Sequence, residues 1–85
     1  MLKREEQISL ASELLKITYE EAEKYCDEIE NSKALYFSIP TKGGASLIVG
    51  DDGEVLYADS SVGYSNHLIE YNNGRRTPLE TFKEK

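Results

Sequence analysis

An α+β domain with a three-stranded antiparallel meander, in the order α-α-β-β-β-α, is the fold class this sequence predicts. Three observations predict it. Apolar residues recur at helical spacing from Ile8 to Ile29. Strand-like runs follow at 34–39, 45–50 and 54–58. The connections between those runs are too short for parallel crossovers. The helices are expected mainly on one face of the sheet.

The first helix is expected over about 5–17. Ile8, Ala11 and Leu15 form one stripe, and Leu10, Leu14 and Ile17 widen it toward half the circumference. So wide an arc implies two neighbours: the sheet and another helix, or a second copy of the chain. The second helix is expected over about 19–30. Thr18 with Glu21 three residues on is a capping box, and Tyr19, Ala22, Cys26 and Ile29 recur at helical spacing. Glu20, Glu21, Glu23, Asp27, Glu28 and Glu30 occupy the opposite side, offset only by Lys24. Carboxylates near the C-terminus of such a helix oppose its dipole.

In the first strand Leu35, Phe37 and Ile39 alternate with Tyr36 and Ser38. Pro40 to Gly44 is a turn. The second strand is apolar on both faces at Leu47, Ile48 and Val49, which places it centrally. Asp51-Asp52-Gly53 is a hairpin signal, because Asp-Gly accepts the positive φ of a tight turn. After a loop from Asp59 to Gly63, Ser65 is read as the cap of a short helix over about 65–72, with Gly74 as its stop. Thr77-Pro78-Leu79-Glu80 opens a last helical turn over about 78–82, with Thr77 as cap.

Composition narrows the function. The chain has 85 residues, enough for one small domain, with 39% hydrophobic and 31% charged residues and a net charge of -6. Residues 1–32 carry nine acids and four bases, while residues 33–85 carry seven and six, so the negative field belongs to the N-terminal third. That balance disfavours nucleic acid as a partner. One Cys forms no internal disulfide, and Cys26 with His67 cannot furnish a four-ligand zinc site. No apolar run is long enough for a membrane helix, and the first residues lead into no signal-peptide core. A cytoplasmic location is expected, with no membrane partner, no cofactor and no metal.

The candidate sites are few. His67 lies near Asp59, Ser60, Ser61 and Ser65 in sequence, but a triad is defined by geometry, and a surface or half-buried helix position is the expected one. Lys42-Gly43-Gly44 lacks the spacing and the strand-to-helix context of a phosphate loop. Asp51, Asp52, Glu54 and Asp59 do not follow the spacing of a calcium loop. Arg75 and Arg76 stand near Tyr64 and Tyr71, and are expected to pair with the chain's own acids or a partner's. Cys26 on an apolar helix face reads as a small buried hydrophobe. The acidic side of the second helix is the strongest feature. It reads either as a solvated face that aids solubility or as a docking surface for a basic partner.

The stretch Ile39-Pro40-Thr41-Lys42-Gly43-Gly44-Ala45-Ser46-Leu47-Ile48-Val49, followed by Asp52-Gly53-Glu54-Val55-Leu56-Tyr57, resembles the central part of bacterial toxin-immunity domains of the SUKH type. The likeness extends through the short helix to about Gly74. It implies a non-enzymatic protein that binds and blocks a toxin, often a basic nuclease.

The expected function is therefore that of a small acidic protein-binding domain of the immunity or antitoxin kind. Glu20, Glu23, Asp27, Glu28 and Glu30 would make the contact, with Tyr36 or Tyr57 as an aromatic anchor. No catalytic residue is expected. Two rivals remain: a structural or regulatory homodimer joined through the wide face of the first helix or a free sheet edge, and a small enzyme using His67.

Overall fold

The computed structural model describes residues 1–29, 32–40, 44–59 and 61–83. Helix α1 spans Arg4–Leu15, and the Glu6 carboxylate accepts a bond from the Lys3 N–H at 2.8 Å at its start. It ends two residues before the expected Ile17, because Lys16 turns into the left-handed region at φ 59° and the Ile17 N–H returns to the Ser12 carbonyl. Helix α2 opens with the expected capping box. The Glu21 N–H donates to Thr18 Oγ1 at 3.1 Å and the Thr18 N–H to Glu21 Oε1 at 3.3 Å.

Helix α2 covers only Tyr19–Lys24, and Cys26–Glu28 is a strand, β1, where the periodicity predicts helix. The cause is a non-local ladder. Cys26, Asp27 and Glu28 pair antiparallel with Phe37, Tyr36 and Leu35. The ladder takes up the backbone groups of Asp27 and avoids placing Glu28 at the negative end of a helix. Glu30, the last residue of the expected helix, lies outside the described residues, as does Asn31.

Strands β2 (Leu35–Ile39), β3 (Ala45–Val49) and β4 (Val55–Ala58) follow the expected meander, so the antiparallel sheet has four strands in the order β1-β2-β3-β4, not three. The hairpin between β3 and β4 forms as read. Gly53 sits at φ 85°, and Asp52 Oδ1 accepts from the Glu54 N–H at 3.0 Å. The Pro40–Gly44 turn falls mostly outside the described residues.

Helix α3 spans Tyr64–Asn72 and stops before Gly74, whose φ is 92°. Its cap position is Gly63 rather than Ser65, which sits inside the first turn. A 3-10 segment, Leu79–Lys83, takes the place of the last turn. Thr77 does not cap it: the Thr77 hydroxyl accepts from the Tyr57 N–H at 2.9 Å and so serves the sheet edge.

The helices lie on both faces of the sheet, contrary to the expected one-sided packing. Ile8, Ala11 and Leu15 of α1 and Ala22 of α2 pack with Leu35, Phe37, Ile39, Leu47, Val49 and Val55 in the larger core. Leu10, Leu14 and Ile17 rest against the same core, so the wide arc of α1 is used within the chain. On the other face, Ile29, Ala34 and Ile48 form a smaller core that is covered by Leu68 and Tyr71 of α3. Every residue of β3 is buried. Each large apolar side chain taken wholly out of water contributes about 1.5–3 kcal/mol.

Gln7 holds α1 to the sheet. Its side-chain amide is buried and donates to the Lys33 and Val49 carbonyls, both at 2.9 Å.

Gly50 is constrained by space. A Cβ there would collide with the Tyr71 hydroxyl and stand 2.7 Å from Asp52 Oδ1. The Tyr71 ring is itself held from above, because the Arg76 guanidinium lies 3.8 Å from its centroid and donates to the Tyr71 carbonyl at 2.8 Å. Gly50→Ala is expected to cost about 1–3 kcal/mol in urea denaturation, with part of the loss recovered by adding Tyr71→Phe.

Candidate functional site

The acids expected to make contact occupy one continuous stretch of chain. Glu20 and Glu23 are exposed on α2, and Asp27 and Glu28 are exposed on β1. Among the described residues none of the four is ion-paired; the two ion pairs lie elsewhere, Arg75 with Glu70 at 2.8 Å and Arg76 with Glu54 at 4.0 Å. The arginines thus meet the chain's own acids, as the sequence suggests. Glu30 lies outside the described residues.

Register places the rest. Asp27 stands directly opposite Tyr36, so both project from the sheet face that carries α3. Cys26 and Glu28 stand opposite Phe37 and Leu35, on the face that carries α1. Tyr36 is half-buried and meets the Tyr64 ring edge-on at 4.7 Å between centroids. Asp27, Tyr36 and Tyr64 therefore form a mixed acidic and aromatic patch. Tyr64 was not among the expected contact residues. Its role depends on α3 lying over β2, for which the sequence carries no local signal.

Tyr57 does not join this patch. It is 41% exposed on β4, at the far edge of the sheet and on the α1 face, opposite Leu47. Its ring packs edge-on against Phe82 at 5.9 Å. Tyr36 on β2 and Tyr57 on β4 lie two strand spacings of about 4.8 Å apart and on opposite faces of the sheet, so one small contact cannot use both.

His67 is the largest departure from the sequence reading. It is 1% exposed, not a surface or half-buried position. Its Nε2 lies 2.8 Å from the Leu56 carbonyl and its Nδ1 3.0 Å from Ser46 Oγ. A carbonyl only accepts, so Nε2 carries the proton and Nδ1 accepts from the Ser46 hydroxyl. Ser46 is equally buried and sits on β3. The serines close in sequence take no part: Asp59 Oδ1 accepts from the Ser61 hydroxyl at 2.5 Å and the Ser61 N–H at 3.0 Å, and Ser60 lies outside the described residues. No carboxylate orients the imidazole, so the pair lacks the third member of a nucleophile–base–acid array. What it does is clamp α3 to β3 and β4.

His67 also floors a cleft of about 590 Å³, lined in part by Asp59, Ser61, Asn66, Glu70 and Arg75. The charges there are satisfied among themselves, by Glu70 with Arg75 and by Asp59 with Ser61. The Ser61 bonds hold the Asp59 carboxyl below its ordinary value. Burial pushes the Cys26 thiol up, which keeps it protonated and a weak nucleophile. Among the described residues no group of three or more His, Cys, Asp or Glu could hold a metal ion, and no helix is long and apolar enough to cross a membrane. Comparison with protein-family models, curated proteins and solved structures finds no match to this chain.

Burial pushes the His67 imidazole below its ordinary 6.5, and the bond to Leu56 opposes this only in part. The unfolded chain therefore takes up this proton first as pH falls. Stability is full above about pH 6.5 and declines below it, until the lower folded-state value is passed. Urea midpoints measured from about pH 7.5 down to 5 are expected to fall in the wild type, and this component is expected to vanish in His67→Gln. An equal slope in both proteins would show that the imidazole is not held neutral.

Proposed function

We propose that this chain is a small, non-enzymatic, acidic protein-binding domain that docks a basic protein partner and acts by covering it, in the manner of an immunity or antitoxin-type inhibitor. The observation that carries this reading is the run of exposed carboxylates Glu20, Glu23, Asp27 and Glu28 across α2 and β1, which have no ion-pair partner among the described residues, while the arginines at the other end of the chain are engaged with Glu70 and Glu54. Charge left uncompensated on one side of a small molecule steers a basic partner to that side and raises the association rate. Tyr36 and Tyr64 beside Asp27 supply the aromatic surface on which contact energy concentrates. The SUKH-like stretch from Ile39 to Tyr57 points the same way.

The test is capture of partners from the source organism's soluble lysate at low and high salt, followed by titration calorimetry with what is retained. A basic protein is expected to bind at low salt and to be shed at high salt. Reversing the charge at Glu23, Asp27 and Glu28 together is expected to weaken its binding about tenfold or more, with the far-UV spectrum and urea midpoint unchanged, because all three side chains are exposed. Undiminished affinity in the triple variant would overturn the reading.

A further inference from the structure

The two edges of the sheet differ. At β4, the chain's own C-terminal segment has been laid alongside: Thr77 bridges to Val55, its N–H donating to the Val55 carbonyl at 2.7 Å, and its hydroxyl takes the Tyr57 N–H. At β1, among the described residues, nothing pairs on the outer side. The Ser38 N–H donates to the Tyr25 carbonyl at 3.4 Å, which sets the phase of the ladder. Backbone groups alternate in direction along an antiparallel strand, so those of Tyr25 and Asp27 face β2 and those of Cys26 and Glu28 face outward. This edge therefore offers the N–H and C=O of Cys26 and Glu28 to an added strand.

We infer that the β1 edge accepts an extended segment of the basic partner as a fifth strand, with Arg or Lys opposite Asp27 and a second basic residue opposite Glu28. The inference rests on the docking function proposed above and specifies how that docking is made. Charge selects the occupant. A second copy pairing β1 to β1 would bring like carboxylates into register, and charged edges resist such pairing. A basic strand turns the same carboxylates into attraction. Opposite Asp27 the added residue occupies a non-hydrogen-bonded position, where side chains come closest. Its cation lies beside the Asp27 carboxylate, on the face that presents the Tyr36 ring one strand further in and Tyr64 edge-on to it. Cation–π attraction acts within about 6 Å of a ring centroid.

The experiment is amide NMR on the full chain with three synthetic peptides. One is a Thr/Val peptide with a central Lys-Arg, the second its Gln-Gln counterpart, and the third the Lys-Arg peptide N-methylated at the two residues opposite Cys26 and Glu28. Strand addition is supported if the Lys-Arg peptide binds saturably and slows amide exchange at Cys26 and Glu28 about tenfold. It also requires that the N-methylated peptide fail to bind and that Asp27→Asn or the Gln-Gln change weaken binding about tenfold. Equal binding of the N-methylated and unmodified Lys-Arg peptides, with shifts at Glu20 and Glu23 and no protection at Cys26 and Glu28, overturns strand addition and leaves charge-based docking standing. Equal binding of all three peptides, or of none, overturns both. Protection at Cys26 and Glu28 that grows with protein concentration in the absence of peptide identifies a second copy as the occupant and overturns the inference.

Discussion

The strand Ala45–Val49 is buried on both faces and paired along both edges. Everything else in the molecule is arranged to keep it so. Leu47 and Val49 need α1 over one face, and Ile48 needs α3 and Ile29 over the other. Its one polar side chain, Ser46, is buried as well, and a buried hydroxyl without a partner is costly. His67 supplies the partner, and its second nitrogen is satisfied by Leu56 on the neighbouring strand. Gln7 ties the other face through the Val49 carbonyl. The two buried polar ties, one per face, fix where α1 and α3 sit in a way that non-directional apolar contact would not. Among the described residues no buried side-chain polar atom lacks a partner.

This three-layer arrangement leaves the sheet asymmetric at its edges. The β4 edge is closed by Thr77, and the turn beside it is weighted down by Arg76 stacked on Tyr71. The β1 edge carries three residues only, two of them carboxylates. A short acidic strand protects a small protein from adding copies of itself, while leaving its backbone groups open to a strand of opposite charge. The distribution of ion pairs follows the same division. Glu54 and Glu70 face arginines, and Glu20, Glu23, Asp27 and Glu28 face water.

Much of the local structure was legible because local chemistry decides it. The Thr18–Glu21 box starts α2 where it should, since both of its bonds close within one turn. Gly53 and Gly74 mark a hairpin and a helix end because each adopts a positive φ. The central place of β3 followed from an apolar run with no polar face. Cys26 to Glu28 reads as helix because Tyr19, Ala22, Cys26 and Ile29 suit a helix, and three residues of strand are too few to outvote them. The decision was made by Tyr36 and Phe37, ten residues further on, through ladder bonds that no local pattern announces. Ser65 and Thr77 have the residue type of helix caps, yet the backbone enters α3 at Gly63 and the Thr77 hydroxyl is drawn to the β4 edge.

By itself, the sequence determined the α+β class, the antiparallel meander, the segregation of negative charge into the N-terminal third and the starts and stops of most elements. These depend on periodicity, on turn residues and on summed charge, all of which are properties of neighbours along the chain. Tertiary structure alone decided that the sheet has a fourth strand, that helices cover both its faces, that His67 reaches Ser46 rather than the nearby Ser61, and that Asp27 faces Tyr36 while Tyr57 lies at the opposite edge. Each of these is a pairing between distant segments. Its free energy exists only once burial of the common strand has brought those segments together.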